Sequence, residues 1–127
     1  MRYLIDTHVL IWYLNGDNAL PEKYAGLMRN PENKLYLSMV SIWELTIKMS
    51  SKKLEIDKNI QEIEGYILSK DYEVINVSFA HLKTLFDLPK LHGDPFDRLL
   101  IAQALTEDLT IISADKEFQA YPVNVVW

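Results

Sequence analysis

Short apolar runs alternate along this chain with longer stretches in which apolar residues recur every three or four positions. The runs Tyr3-Leu4-Ile5, Leu35-Tyr36-Leu37, Val74-Ile75-Asn76-Val77, Thr110-Ile111-Ile112-Ser113 and Val123-Asn124-Val125-Val126 predict five strands. Between them, residues 9–14 read as a helix that stops at Asn15-Gly16, and Pro21 opens a second helix that continues to Met28. Ser38 or Ser41 opens a third, running towards Lys52 with Ile42, Leu45 and Met49 on one face. Further helices are predicted over 59–70, where Ile60, Ile63, Ile67 and Leu68 keep helical spacing, over 78–85, and over 94–107.

Short apolar strands alternating with helices imply a mainly parallel sheet covered on both faces. The expected fold is a three-layer α/β/α domain spanning residues 1–127, with no repeat or linker to divide it. Such sheets collect function where the chain leaves the carboxyl ends of the strands. Asp6 follows the first strand, Glu44 lies near the start of the helix after the second, and Asp115 follows the fourth. Asp97 sits in the first turn of a helix leading into that fourth strand, so the start of the helix returns to the same rim. Connectivity therefore predicts that all four carboxylates meet.

Each acid also has a purely structural explanation. Asp6 caps the first helix in that reading, and Glu44 forms a Ser41-x-x-Glu44 capping box or pairs with Lys48 one turn on. Asp94-Pro95-Phe96-Asp97 combines an N-cap, a proline at the first helical position and a first-turn acid. Asp115 caps a short helix at Lys116-Glu117-Phe118. Capping explains the acids one at a time, but not their meeting. Asp97 moreover lies on the stripe of Leu100, Ile101 and Ala104, where a carboxylate is unfavourable unless paired or bound to a cation. Two carboxylates about 5 Å apart repel by roughly 3 kcal/mol at an effective dielectric near 20. A hard divalent cation such as Mg²⁺ relieves that repulsion and serves phosphodiester chemistry, so the expected function is a metal-dependent nuclease.

The absence of cysteine excludes disulfides and thiolate metal sites. No apolar run approaches the roughly 20 residues of a membrane span, and an acid at position 6 interrupts any signal-peptide core, so a cytoplasmic protein is expected. The net charge of −5 runs against a nucleic-acid partner. Four of those negative charges are the proposed cation site, however, and bound Mg²⁺ would return positive charge where phosphate must sit. Lys48, Lys52 and Lys53 follow Glu44 closely, either as phosphate contacts or as a solvated helix face.

The blocks Met1-x-Tyr3-Leu4-Ile5-Asp6-Thr7-His8, Ser41-Ile42-Trp43-Glu44-Leu45-x-Ile47-Lys48, His92-x-Asp94-Pro95-Phe96-Asp97-Arg98-x-Leu100-Ile101-Ala102-Gln103-Ala104 and Ser113-x-Asp115 resemble the PIN-domain family. Within it they are most similar to VapC-type toxins of bacterial toxin–antitoxin pairs, in the right order over nearly the whole chain. The resemblance implies a PIN-like fold and an endoribonuclease using Mg²⁺ or Mn²⁺. It places the catalytic and metal-binding acids at Asp6, Glu44, Asp97 and Asp115, with Asp94 and Ser113 as accessories. It also implies an RNA substrate, a homodimer and a protein antitoxin that blocks the site.

On this reading Asp6 and Asp97 are the main ligands, with Asp115 and Glu44 completing the site directly or through water. Arg98, Lys48 and Lys52 are candidates to hold phosphate, Arg98 being equally suited to an outward surface role. His8 is expected to pack and His92 to serve as a loop hydrogen-bonding group. Trp12, Tyr13, Met39, Trp43 and Met49 are expected mostly in the core. Three tryptophans and seven tyrosines in 127 residues nevertheless leave apolar surface for a partner, and residues 39–54 and the helix around Trp12 are the candidate antitoxin groove. Two other classes compete: a non-catalytic scaffold whose acids only cap helices, and a phosphoryl-transfer domain with Asp6 as phosphoacceptor. The latter lacks the second aspartate two residues on, where His8 stands.

Overall fold

The computed structural model describes residues 1–54 and 56–127. Its elements are β1 (Arg2–Ile5), α1 (Thr7–Asn15), α2 (Glu22–Arg29), β2 (Lys34–Ser38), α3 (Met39–Ser50), α4 (Ile60–Ser69), β3 (Tyr72–Ile75), α5 (Phe79–Asp87), α6 (Pro95–Glu107), β4 (Thr110–Ile112), a 3₁₀ turn (Lys116–Ala120) and β5 (Val125–Val126). The strands form one sheet in the order β3-β2-β1-β4-β5, and every neighbouring pair is parallel.

Alternation along the strands sorts the core into two layers. Tyr3, Ile5, Leu35, Leu37 and Ile112 pack against Val9, Leu10, Tyr24, Met28, Leu45, Ile63 and Ile67 from α1–α4. Leu4, Tyr36 and Ile111 face the other way, onto Leu100, Ile101 and Ala104 of α6 and Phe118. The three-layer α/β/α arrangement follows. Among the described residues no helix is long and apolar enough to cross a membrane.

Local chemistry sets the element ends. Gly16 takes the left-handed conformation (φ +60°) that closes α1, while Asp17 N–H returns to the Trp12 carbonyl. Ser38, not Ser41, caps α3, its Oγ accepting from Val40 N–H. The Ser41–Glu44 capping box is therefore absent, because Ser41 already lies inside the helix. Asn59 and Glu62 form a full capping box on α4.

Two strands differ from expectation. β3 runs over Tyr72–Ile75 instead of 74–77, since its partner β2 ends at Ser38 opposite Ile75, and the Asn76 carbonyl turns to the Gln103 side chain. β5 is reduced to Val125–Val126 because Val123 N–H closes a turn onto the Tyr121 carbonyl.

Candidate active site

In this sheet β1 sends the chain first towards β2 and β3, and β4 later returns to its other side. The strand order therefore reverses between β1 and β4, the place where parallel sheets open a crevice at their carboxyl ends. Ile5 pairs with Ile112, so the next residues, Asp6 and Ser113, emerge side by side. The Ser113 hydroxyl donates to Asp6 Oδ2 at 2.9 Å.

Asp6 occupies the N-cap position of α1 but its side chain makes no cap hydrogen bond. It is 2% exposed, and its Oδ1 is buried without a hydrogen-bond partner among the described residues. Capping therefore does not account for this carboxylate. Burial raises its pKa to about 6, opposed by the Ser113 hydroxyl, His8 and the adjacent Thr7 N–H, and aided by the charge of Glu44.

Glu44, 3% exposed, stands in the second turn of α3. Lys48 Nζ holds its Oε2 at 2.9 Å, while Oε1 is buried with no hydrogen-bond partner among the described residues. Leaving a buried acceptor unsatisfied costs about 1–3 kcal/mol, and more for a charged one. Two such oxygens, on Asp6 and Glu44, are a standing demand for a donor or a cation.

Asp97 lies on the inner stripe of α6 among Leu100, Ile101 and Ala104, all buried. Its pKa is pushed up to about 8, first by burial and then by the charges of Asp94, Asp6, Asp115 and Glu44. Like-charge repulsion was the expected source of such a shift; burial is the larger one, and the neighbouring acids add to it. Asp94 caps α6, its Oδ1 accepting from the N–H groups of Phe96 and Asp97. Asp115, half-buried, caps the 3₁₀ turn through Glu117 N–H, and its own N–H donates to Ser113 Oγ.

The oxygen-only set suits a hard cation, and the orphaned oxygens of Asp6 and Glu44 give it a reason to bind. Among the described residues no three acidic or imidazole groups converge tightly enough to hold a metal by themselves. An ion that keeps several of its waters fits such a spread set.

The cationic candidates differ. Lys48 is committed to Glu44, and Lys52 is exposed past the end of α3. Arg98 donates to the carbonyls of Leu88 and Pro89 and to the Tyr121 hydroxyl, so its guanidinium pins the loop ahead of α6. His8 is exposed, 6.3 Å ring to ring from Trp12, and not a packed core residue. His92 is the loop hydrogen-bonding group it was expected to be: its Nδ1 meets the Tyr121 hydroxyl at 2.8 Å, and its Nε2 lies 3.6 Å from Asp97 Oδ2. No sequence pattern singles out Tyr121, whose importance arises only from long-range contact.

The five large residues expected mostly in the core are less covered than that. Met39 and Trp43 are exposed, and Trp12, Tyr13 and Met49 are half-buried. Trp43 stands edge-on to Phe96 at 5.0 Å, joining the turn of Glu44 to that of Asp97.

The sequence matches the PIN domain over residues 3–124. No curated protein matches it significantly. Its fold is similar to a chain of the VapBC2 complex of Rickettsia felis bound to a DNA fragment from their promoter, with TM-score 0.76 and 20% identity, covering 100% of this chain and 99% of that one. It is also similar to a chain of DNA-bound VapBC from Salmonella typhimurium, with TM-score 0.74 and 18% identity, covering 99% and 97%. A toxin–antitoxin complex from Klebsiella pneumoniae gives TM-score 0.68 and 21% identity, covering 98% and 96%.

Proposed function

The chain belongs to the PIN-domain family, and from that premise we propose that it is a metal-dependent endoribonuclease, the VapC-type toxin of a toxin–antitoxin pair. The observation that carries this reading is the pair of buried carboxylate oxygens, Asp6 Oδ1 and Glu44 Oε1, that have no hydrogen-bond partner among the described residues. Helix capping offers no use for those atoms.

Asp6 and Asp97 would hold a Mg²⁺ or Mn²⁺ ion, with Asp115 and Glu44 completing the site directly or through water. The bound ion supplies Lewis-acid stabilisation of phosphoryl oxygens and a nucleophile at neutral pH. The chain's own part is placement. Ser113 fixes Asp6 Oδ2 and leaves Oδ1 free, and Lys48 does the same for Glu44 by holding Oε2. Asp94 fixes the first turn of α6 and so the position of Asp97. Where Glu44 joins the site through water, its Oε1 would accept the proton of that water. Lys52, exposed just past the end of α3, remains a candidate phosphate contact, whereas Lys48 is held by Glu44.

The choice of RNA rests on the resemblance of residues 92–104 to VapC-type toxins. A protein antitoxin and a homodimer are supported by two features. The similar folds come from toxin–antitoxin complexes, and Met39, Trp43 and Ile47 on α3 and Phe79 and Phe86 on α5 leave large apolar side chains exposed. An antitoxin segment on α3 would cover the turn that carries Glu44 and exclude RNA.

Incubation of purified protein with structured RNAs in Mn²⁺ or Mg²⁺ tests the reading. Discrete cleavage is expected, lost on chelation and lost in Asp6→Asn and Asp97→Asn. Cleavage that survives in both variants would show that another site, or a contaminant, does the chemistry.

A further inference from the structure

The Tyr121 hydroxyl receives three N–H groups: Leu91 N at 3.2 Å, His92 N at 3.2 Å and Arg98 Nη1 at 3.1 Å. A phenol oxygen has one proton of its own and cannot point it at any of these donors. Its fourth and shortest contact is His92 Nδ1 at 2.8 Å. The Tyr121 proton is therefore directed at Nδ1, which acts as acceptor. That places the ring hydrogen on Nε2. Nε2 is buried and, among the described residues, has no hydrogen-bond partner; it faces Asp97 Oδ2 at 3.6 Å, slightly too far for a hydrogen bond. Both side chains are nearly covered, 11% and 12% exposed, so solvent offers little alternative.

We infer that His92 is a positioning residue for Asp97: Tyr121 sets its tautomer, and its Nε2–H is the donor that holds Asp97 Oδ2 and turns the other carboxylate oxygen towards the cation. The inference rests on the metal-dependent reading above. The Arg98 guanidinium, bonded to Leu88 and Pro89 carbonyls as well as to Tyr121, keeps this loop in place; it orients the orienting group. Outer partners of this kind fix the direction of a ligating group, and their loss commonly weakens metal affinity about 10–100-fold.

The test has two arms. Long-range ¹H–¹⁵N NMR of the metal-free protein should show His92 as the Nε2–H tautomer; an Nδ1–H tautomer would overturn the inference. Calorimetric Mn²⁺ titration should then show His92→Ala weakened by about tenfold or more and His92→Gln, whose amide still donates, restored to within about threefold of the parent. If the alanine variant does not fold, His92→Phe replaces it, keeping a ring without a donor. Equal Mn²⁺ affinity in the donor and donor-less variants would sink the inference alone. A parent protein that binds no Mn²⁺ would overturn both it and the metal-dependent reading.

Discussion

Ser113 reaches across from the end of β4 to hold one oxygen of Asp6 at the end of β1, joining residues 107 apart in the sequence. The bond spends one carboxylate oxygen on structure and leaves the other buried and free. Ser113→Ala should therefore damage the fold and the site together. Stability should fall by about 1–3 kcal/mol, as when any buried acceptor loses its donor. Mn²⁺ affinity should fall by roughly tenfold as Asp6 loses its fixed orientation. Chemical denaturation and calorimetry on the same variant check both.

The raised pKa values of Asp6 and Asp97 give a pH dependence of definite sign. An unfolded aspartate titrates near 3.9, whereas the folded carboxyls titrate at about 6 and about 8. Well below pH 4 both states are protonated and the groups cost nothing. As pH rises towards 8 the unfolded chain releases its protons first, so the metal-free fold loses stability across that window. Asp97→Asn should remove most of the slope and melt higher than the parent at pH 7–8 in chelator. A lower melting temperature for this variant would assign Asp97 a mainly structural role.

Asp94 does two things that substitution separates. Asparagine caps helices as well as aspartate does, so Asp94→Asn should retain the bonds to Phe96 and Asp97 N–H groups while removing the largest acidic neighbour of Asp97. The Asp97 pKa should drop below about 8 with little change in stability. A carboxyl-detected NMR titration measures it directly.

Lys48 sits between a surface and a buried partner: Glu44 is nearly covered while the lysine is one-third exposed. Lys48→Met should therefore destabilise the protein by roughly 1–2 kcal/mol, between the values for exposed and buried pairs. Added Mg²⁺ should recover part of that loss by giving Glu44 a new counter-charge. Melting curves with and without Mg²⁺ separate the two contributions.

Much of this arrangement was legible from alternation and connectivity alone. The parallel sheet followed from short apolar runs between helices, and the meeting of β1 and β4 ends followed from where a returning helix must start. The resemblance added Ser113. What the sequence did not carry was anything decided by contacts between distant segments. The choice of Ser38 over Ser41 as the α3 cap depends on where β2 stops pairing. The extent of β3 depends on Gln103 claiming the Asn76 carbonyl. Tyr121 has no motif at all, yet four groups meet at its hydroxyl. The exposure of Trp43 and Met39 was equally hidden, since a helix between two layers can turn large side chains to either core or solvent.

The pairing of β1 with β4 also sets when, as the chain is made, this site can assemble. β1 is synthesised first, but its second neighbour is absent until residues 110–112 have left the ribosome. Until then Asp6 has no Ser113, and the layer under α6 lacks Ile111. Contacts of such long sequence separation form late and slowly. A nascent or truncated chain that stops before β4 thus lacks both Ser113 and Asp115. The interval between synthesis of β1 and docking of that strand is time in which the acids of this rim are not yet held together.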